Sequence, residues 1–143
     1  MHRRWKVAAA GAIAATVWGA LEPLDRRLFR WDYSDVAVLG KAFTRGPGWR
    51  PLGFALHAAN DAIFGLVYDE ARRRVRVEPR RLALGMALAE HLTLYPLSYL
   101  VDRYHPARGE PGLAPLLHSR ALAQGVFRHT VFGLVLGVLA ERG

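Results

Sequence analysis

Residues 121–140 read ALAQGVFRHTVFGLVLGVLA, a run of twenty mostly apolar residues. As an α-helix with a rise of about 1.5 Å per residue, such a run spans the hydrocarbon core of a bilayer, which is about 30 Å thick. Arg128 and His129 lie side by side near its middle. Because a charge at that depth is costly on an isolated helix, we expect both side chains to face other polar groups inside the protein.

Three other apolar runs accompany this one, at about residues 5–22, 52–68 and 82–101. Hydrophobic residues make up 52% of the 143 residues, and they gather in these four blocks between arginine-rich segments, as is typical of membrane spans and loops. The sequence therefore predicts an all-α fold, an integral membrane four-helix bundle in a single domain over residues 1–143. A soluble helical bundle is the alternative, since the mean hydropathy is only +0.06.

The first apolar run follows a basic amino-terminal segment, MHRRWK, and its uncharged part covers Val7–Leu21. This part is short for a span, so we expect Trp5 and the long side chain of Lys6 to help it reach both interfaces. A cleaved signal peptide is the alternative. Its cleavage site would need a small residue where Trp18 stands, which favours a retained helix.

Local signals predict where helices end and begin between the spans. Glu22 and Pro23 are predicted to end the first helix. Ser34 is a suitable cap for a short helix over about residues 34–44, which we expect to lie in the membrane interface. Tyr95–Pro96 predicts a kink or an early end in the third span.

Positive charge predicts the partners and the orientation of the chain. The formal net charge is +8, and six arginines fall in the short segment from Arg72 to Arg81. Short basic loops stay in the cytoplasm, so we expect this loop and both termini on the cytoplasmic side of the membrane. Anionic lipid headgroups are the expected partner of this charge, and no nucleic-acid motif accompanies it. A homo-oligomer or a membrane complex is a further partner to consider.

An internal repeat relates two of the spans. Residues 63–67, IFGLV, match residues 131–135, VFGLV, at an offset of 68. The match predicts two similar helical hairpins with the same orientation, related by an axis near the membrane normal.

Polar residues fall near the middle of the last three spans and predict a cluster inside the bundle. Its members are His57, Asn60, Asp61, Glu90, His91, Arg128 and His129. In one interpretation they form a structural core in which Arg128 pairs with Asp61 or Glu90. In the leading functional interpretation they bind or conduct a proton or a small ligand, because histidines titrate near neutral pH.

Metal binding and catalysis are the remaining interpretations of the cluster. His57, His91 and His129 could ligate a metal or a haem, although no paired Glu-x-x-His motif is present. The chain has no cysteine, which excludes thiolate chemistry. No nucleophile elbow, phosphate-binding loop or His-Glu-x-x-His motif occurs, so we predict no catalytic residues, no cofactor and a non-enzymatic role. A small membrane enzyme that uses Glu90, His91 and Asp61 as general acid and base on an amphiphilic substrate is an alternative.

Small residues at helical spacing predict close contacts between the spans. Those expected to pack against neighbouring helices are Gly11, Ala15, Gly19, Gly65, Gly133 and Gly137.

The segments RHTVFGLVLGVLAE and HAANDAIFGLVYDEA resemble the uncharacterised YagU-like group of small bacterial four-helix inner-membrane proteins. The likeness lies in a histidine followed by small residues at intervals of four, and in a histidine-led span ending in Phe-Gly-x-x-Tyr. The matching positions are His57, Phe64, Gly65, Tyr68, His129, Gly133 and Gly137. The resemblance implies a location in the bacterial inner membrane and says little about activity.

Overall fold

The computed structural model describes residues 2–141 and the side chains of residues 3–141. The helices are α1 (His2–Phe29), α2 (Asp35–Lys41), α3 (Trp49–Arg74), α4 (Pro79–Leu94), α5 (Ser98–Tyr104) and α6 (Ser119–Glu141), with a 3₁₀ turn at Tyr95–Leu97. This confirms the predicted all-α fold. The described residues exclude Met1, Arg142 and Gly143, and nothing is described of the side chain of His2. The predicted cytoplasmic location of both chain ends concerns these residues.

Helix α1 extends well beyond its predicted end. The prediction that Glu22 and Pro23 terminate it is wrong, because the helix continues through Pro23 to Phe29. A proline inside a helix costs about 3 kcal/mol. The part of α1 after Pro23 contains Asp25, which is fully buried and forms hydrogen bonds with side chains of α6. These tertiary contacts outweigh the cost of a proline inside the helix.

The predicted kink in the third span is confirmed. Helix α4 ends at Leu94, Tyr95–Leu97 form the 3₁₀ turn, and α5 continues to Tyr104. Pro96 supplies the break because it lacks a backbone N–H. At the other end, the Glu78 carboxylate caps α4 by accepting hydrogen bonds from the backbone of the two residues after Pro79.

The helices pack in the order α3, α1, α6, α4. Helix α1 contacts α3 on one side and α6 on the other, and α6 packs against α4. Helices α3 and α4 follow each other in the chain but make few contacts, so a gap lies between them. The core contains Trp18, Phe64, Tyr68, Phe132 and Leu136.

Glycines allow the helix backbones to approach closely. A Cβ at Gly11 would meet the carbonyl of Asp61, and one at Gly65 would lie 2.5 Å from the carbonyl oxygen of Val7. On the other side of the fold, a Cβ at Gly133 would lie 2.7 Å from the Cα of Leu84.

The other predicted packing positions behave similarly. A Cβ at Gly137 would lie 2.8 Å from the Cα of Arg80, while one at Gly19 would meet only the ring of Phe54, at 2.9 Å. Ala15 is buried.

The predicted short helix is present as α2, and Ser34 caps it by accepting a hydrogen bond from the backbone of Ala37 at 3.1 Å. Helix α2 packs tightly on α3, because a Cβ at Gly40 would meet the carbonyl of Trp49 and one at Gly53 that of Val36. Sequence analysis missed this pair of glycines.

The connection over residues 105–118 folds back onto α2. Lys41 is buried and binds Glu110 at 3.1 Å. His105 is also buried and donates to the carbonyl of Val38 at 2.8 Å. The connection therefore covers α2 instead of extending into solvent.

Among residues 2–141, two helical segments are long and apolar enough to cross a membrane, Arg3–Phe29 and Ser119–Glu141. Helix α4 falls short because it has only 16 residues before the 3₁₀ turn. Helix α3 is long enough, but the polar residues His57, Asn60 and Asp61 interrupt its apolar run.

Candidate functional site

A cavity of about 510 Å³ lies in the gap between α3 and α4, which make few contacts with each other. Helices α1 and α6 contribute Trp18 and Phe132 to its lining. Val38 and Leu39 of α2 form a further part of the wall. The cavity is therefore bounded by the four long helical segments and by α2.

All seven residues of the predicted polar cluster line this one cavity. They are His57, Asn60 and Asp61 from α3, Glu90 and His91 from α4, and Arg128 and His129 from α6. His57, Asp61 and Arg128 are buried, whereas Asn60 is exposed. The structure thus brings together side chains that lie up to 72 positions apart in the sequence, between His57 and His129.

Arg128 has different partners from those predicted. Instead of Asp61 or Glu90, it binds both oxygens of Asp25, with Nε–Oδ2 and Nη2–Oδ1 distances of 2.6 and 2.8 Å. Nη1 donates to Asp35 at 2.8 Å. A bidentate pair of this kind is both stronger and more directional than a single charged hydrogen bond. The prediction failed because α1 was expected to end before Asp25.

Further groups complete the surroundings of Arg128. Nη2 donates to the carbonyl of Tyr33 at 2.8 Å, and Nη1 lies 3.7 Å from a carboxylate oxygen of Glu22. The guanidinium carbon lies 4.6 Å from the ring centroid of Tyr33 and 5.3 Å from that of Trp18. With 1% of its side chain exposed, Arg128 is neutralised by charges from α1 and α2.

Sequence analysis missed Glu22, Asp25, Asp35 and Gln124 as members of this network. Gln124 donates to Asp25 at 2.9 Å, and Glu22 accepts from the Ser34 hydroxyl at 2.7 Å. The available signal was the three-residue spacing of Glu22 and Asp25, which places both on one face if the helix continues.

Tyr33 and Asp35 lie outside the long helices, and their ionisation follows from their neighbours. Burial raises the pKa of Tyr33 well above its ordinary value, and the nearby Asp35 carboxylate raises it further. Burial alone would raise the pKa of Asp35, but the Arg128 guanidinium, together with His57 and the hydrogen bond from Tyr33, outweighs burial and holds this pKa below the ordinary value. The tyrosine hydroxyl donates to Asp35, so the pair is a neutral phenol beside a carboxylate.

The three cavity histidines have distinct contacts. The rings of His91 and His129 stack with centroids 4.6 Å apart. His129 Nδ1 lies 2.8 Å from the carbonyl oxygen of Gly125, so this nitrogen donates and Nε2 is left to accept a proton or a ligand hydrogen bond. His57 packs edge-on against Trp18 at 4.3 Å.

His57 and the cavity carboxylates are incompletely paired. His57 Nε2 lies 3.6 Å from Asp61 and has no hydrogen-bond partner. Asp61 accepts a hydrogen bond from Asn60 at 3.1 Å. Within residues 2–141, neither Asp61 nor Glu90 forms a salt bridge with an arginine or a lysine. These groups are therefore available to protons or to a ligand.

The predicted metal and haem alternatives have little geometric support. Across the described part of the chain, no group of three histidine or carboxylate side chains is arranged to hold a metal ion. The rings of His91 and His129 touch, which leaves no space for a haem between them.

No protein-family model, characterised protein or solved structure matches this chain. The likeness to the YagU-like group stays a prediction from the residues.

Proposed function

We propose that the chain is a four-span protein of the bacterial inner membrane whose cavity binds or conducts a proton or a small ligand without catalysing a reaction. The observation that carries the proposal is the placement of Asp61, Glu90 and three histidines around one cavity in the middle of the helices. Groups that exchange protons near neutral pH are rare inside spans, where they usually serve transport or binding.

Exposed apolar side chains support the membrane location. They occur on each of the long helical segments: Ile13 and Val17, Ile63 and Val67, Leu92, Leu94, Leu97 and Leu100, and Leu134. A soluble protein rarely leaves so many large apolar side chains in water, whereas hydrocarbon accommodates them.

Contacts at one end of the molecule support four alternating spans. Arg3 of α1 binds Asp69 at the end of α3 at 3.1 Å, and Arg80 at the start of α4 binds Glu141 at the end of α6 at 2.8 Å. The arginine-rich loop lies at this same end, so the proposed cytoplasmic side carries both chain termini.

The proposed repeat has support in the packing of its matched residues. Phe64 and Phe132, which correspond in the repeat, contact each other edge to face at 5.2 Å. Corresponding residues meet in this way near a two-fold axis. Gly65 and Gly133, also matched, each make a close approach to the other helix of their own hairpin.

An assembly role is the second candidate, and the exposure of Asn60 favours it. A polar side chain exposed on the flank of a span gains from a protein partner that satisfies it. A second copy or a subunit of a complex would then cover the gap between α3 and α4.

The proton or ligand role is tested by ¹⁵N NMR of histidine-labelled protein in detergent, with the variant Asp61→Asn. Because the three cavity histidines share one space, we expect the variant to alter the pH-dependent signals of His57, His91 and His129 and to leave His105 unchanged. The matched control is Glu70→Gln, which removes a carboxylate outside the cavity whose partners, Arg4 and Arg74, are exposed. If the signals of the cavity histidines change neither with pH nor on Asp61→Asn, the proposal is overturned and the assembly role is favoured.

A further inference from the structure

We propose that the cavity binds an amphiphilic organic cation, which enters from the side of the molecule between α3 and α4. The inference deepens the proposed function and rests on it. Its basis is a partly apolar cavity that contains the carboxyl groups of Asp61 and Glu90 and, among residues 2–141, a single lining arginine that is already neutralised.

The cavity has the size and walls for an amphiphile. Its volume of about 510 Å³ lies in the range of pockets that enclose small organic molecules. Leu56, Leu94 and Phe132 supply apolar wall, opposite the polar side chains. Hydrated metal ions lack apolar surface to match this wall, and hydrophobic ligands gain from it.

The cavity opens on the side of the helix bundle, between α3 and α4. Asn60 of α3, Leu94 of α4 and Phe43 after α2 line the cavity and are also exposed. These positions flank the gap between α3 and α4. In a membrane, a ligand already dissolved in the lipid would reach the cavity through this gap.

The charge of the cavity selects a cation. Among the described residues, Arg128 is the one arginine or lysine in the lining, and its hydrogen bonds to Asp25 and Asp35 neutralise it. Within residues 2–141, neither Asp61 nor Glu90 pairs with an arginine or a lysine. An anion, including a lipid phosphate, would meet these two carboxylates and find no free guanidinium or ammonium group.

A buried group without a partner points to an occupant. His57 is 8% exposed, lines the cavity and has no hydrogen-bond partner for Nε2. A ligand that fills the cavity would remove the remaining water and provide a contact for this nitrogen. Tyr95 and Phe132 in the same lining supply aromatic rings that a cation can contact.

Protons compete with the cation for this cavity. The groups that face Asp61 and Glu90 are His57 on α3, His91 on α4, Arg128 and His129 on α6, Asp35 on α2, and Tyr33 before it. Acidification adds positive charge to the histidines or removes negative charge from the carboxylates. Both changes oppose a bound cation, so its affinity should fall as the pH falls.

The test uses tetraphenylphosphonium, a permanent cation, with the full chain in mild detergent and isothermal titration calorimetry. Tetraphenylborate is the matched control because it has nearly the same shape and the opposite charge. We expect the phosphonium to bind and the borate to bind at least tenfold more weakly. Phosphonium affinity should rise between pH 6 and pH 8, by up to about tenfold per pH unit for each proton displaced.

Two variants assign the effect to the cavity. Glu90→Gln and Asp61→Asn should each weaken phosphonium binding about tenfold, while Glu70→Gln near the end of α3 should leave it unchanged. Glu90 is half-buried, and within residues 2–141 its side chain forms no hydrogen bond, so Glu90→Gln should preserve the fold even if Asp61→Asn disrupts it.

Equal binding of both probes, absence of phosphonium binding, or insensitivity to Glu90→Gln would each overturn the assignment. The histidine NMR experiment reports separately on the proposed function, because it needs no ligand. If the histidine signals respond to Asp61→Asn but the protein does not bind the phosphonium, the proposed ligand class is wrong and the proposed function stands.

Discussion

Arg128 is the residue on which the packing of α6 against α1 depends. It is 1% exposed, and it binds Asp25 through two hydrogen bonds and Asp35 through one. The binding joins the middle of α6 to the end of α1 and the start of α2. Because charged groups in a low-dielectric interior need such pairing, the network fixes one arrangement of these elements.

Replacing Arg128 by glutamine should destabilise the protein by about 3–5 kcal/mol, because it leaves buried carboxylates without their cation. Arg128→Lys should rescue part of this loss, since lysine keeps the charge but not the bidentate geometry. Unfolding by denaturant in detergent measures the change. Arg108→Gln, on the exposed outer connection, serves as control with a change within about 0.5 kcal/mol. Equal effects of the two glutamine variants would contradict the buried network.

Asp35 should make the stability sensitive to acid. Its pKa in the folded protein lies below the ordinary value, so its contribution is complete above the unfolded pKa of about 3.9 and is lost as the pH falls through the lower folded value. Asp35→Asn should therefore lower the melting temperature at pH 7 and lower it less at pH 3. Thermal unfolding at both pH values checks this, and a constant difference between variant and wild type would rule it out.

At the scale of elements, sequence reasoning succeeded where one local signal decided the outcome. Pro96 broke the third span, and Ser34 capped a short helix, as predicted. Reasoning failed at Pro23, because the buried contacts of Asp25 come from a helix about a hundred residues away in the sequence. The pairing of Arg128 could not follow from the sequence for the same reason.

The cluster itself was predictable because residues at similar depths in neighbouring spans must meet. His57, Glu90 and Arg128 line one cavity, as equal depth suggested. Which side chain binds which depends on rotation of each helix about its axis. That rotation is set by the close glycine contacts, and single-sequence patterns do not encode it.

The contact between α1 and α3 offers a test at this scale. Gly11→Ala should destabilise the protein by about 1–3 kcal/mol, because the new methyl group would meet the backbone carbonyl of Asp61. Gly85→Ala is the matched control. It lies in α4 with nothing within 4 Å, so alanine should stabilise by about 0.5–1 kcal/mol through helix propensity. Equal shifts in the two melting curves would contradict the close approach.

At the scale of the whole molecule, the two helix pairs that the proposed repeat would relate pack unequally. Helix α1 packs closely on α6, whereas the corresponding pair, α4 and α3, stays apart. Full symmetry would close the gap and remove the cavity. The asymmetry follows from α2, which is inserted in the first hairpin, packs on α3 and contributes Val38 and Leu39 to the cavity wall.

Labelling of single cysteines in bacterial membranes tests the four-span account most directly, because the chain has no cysteine of its own. The exposed positions Val77, Leu117 and Ile63 would each carry one cysteine and react with a membrane-impermeant maleimide. We predict that Val77→Cys reacts in inside-out vesicles, Leu117→Cys in intact spheroplasts, and Ile63→Cys in neither until detergent is added. Reaction of all three from both sides, with the protein in the soluble fraction, would contradict the account.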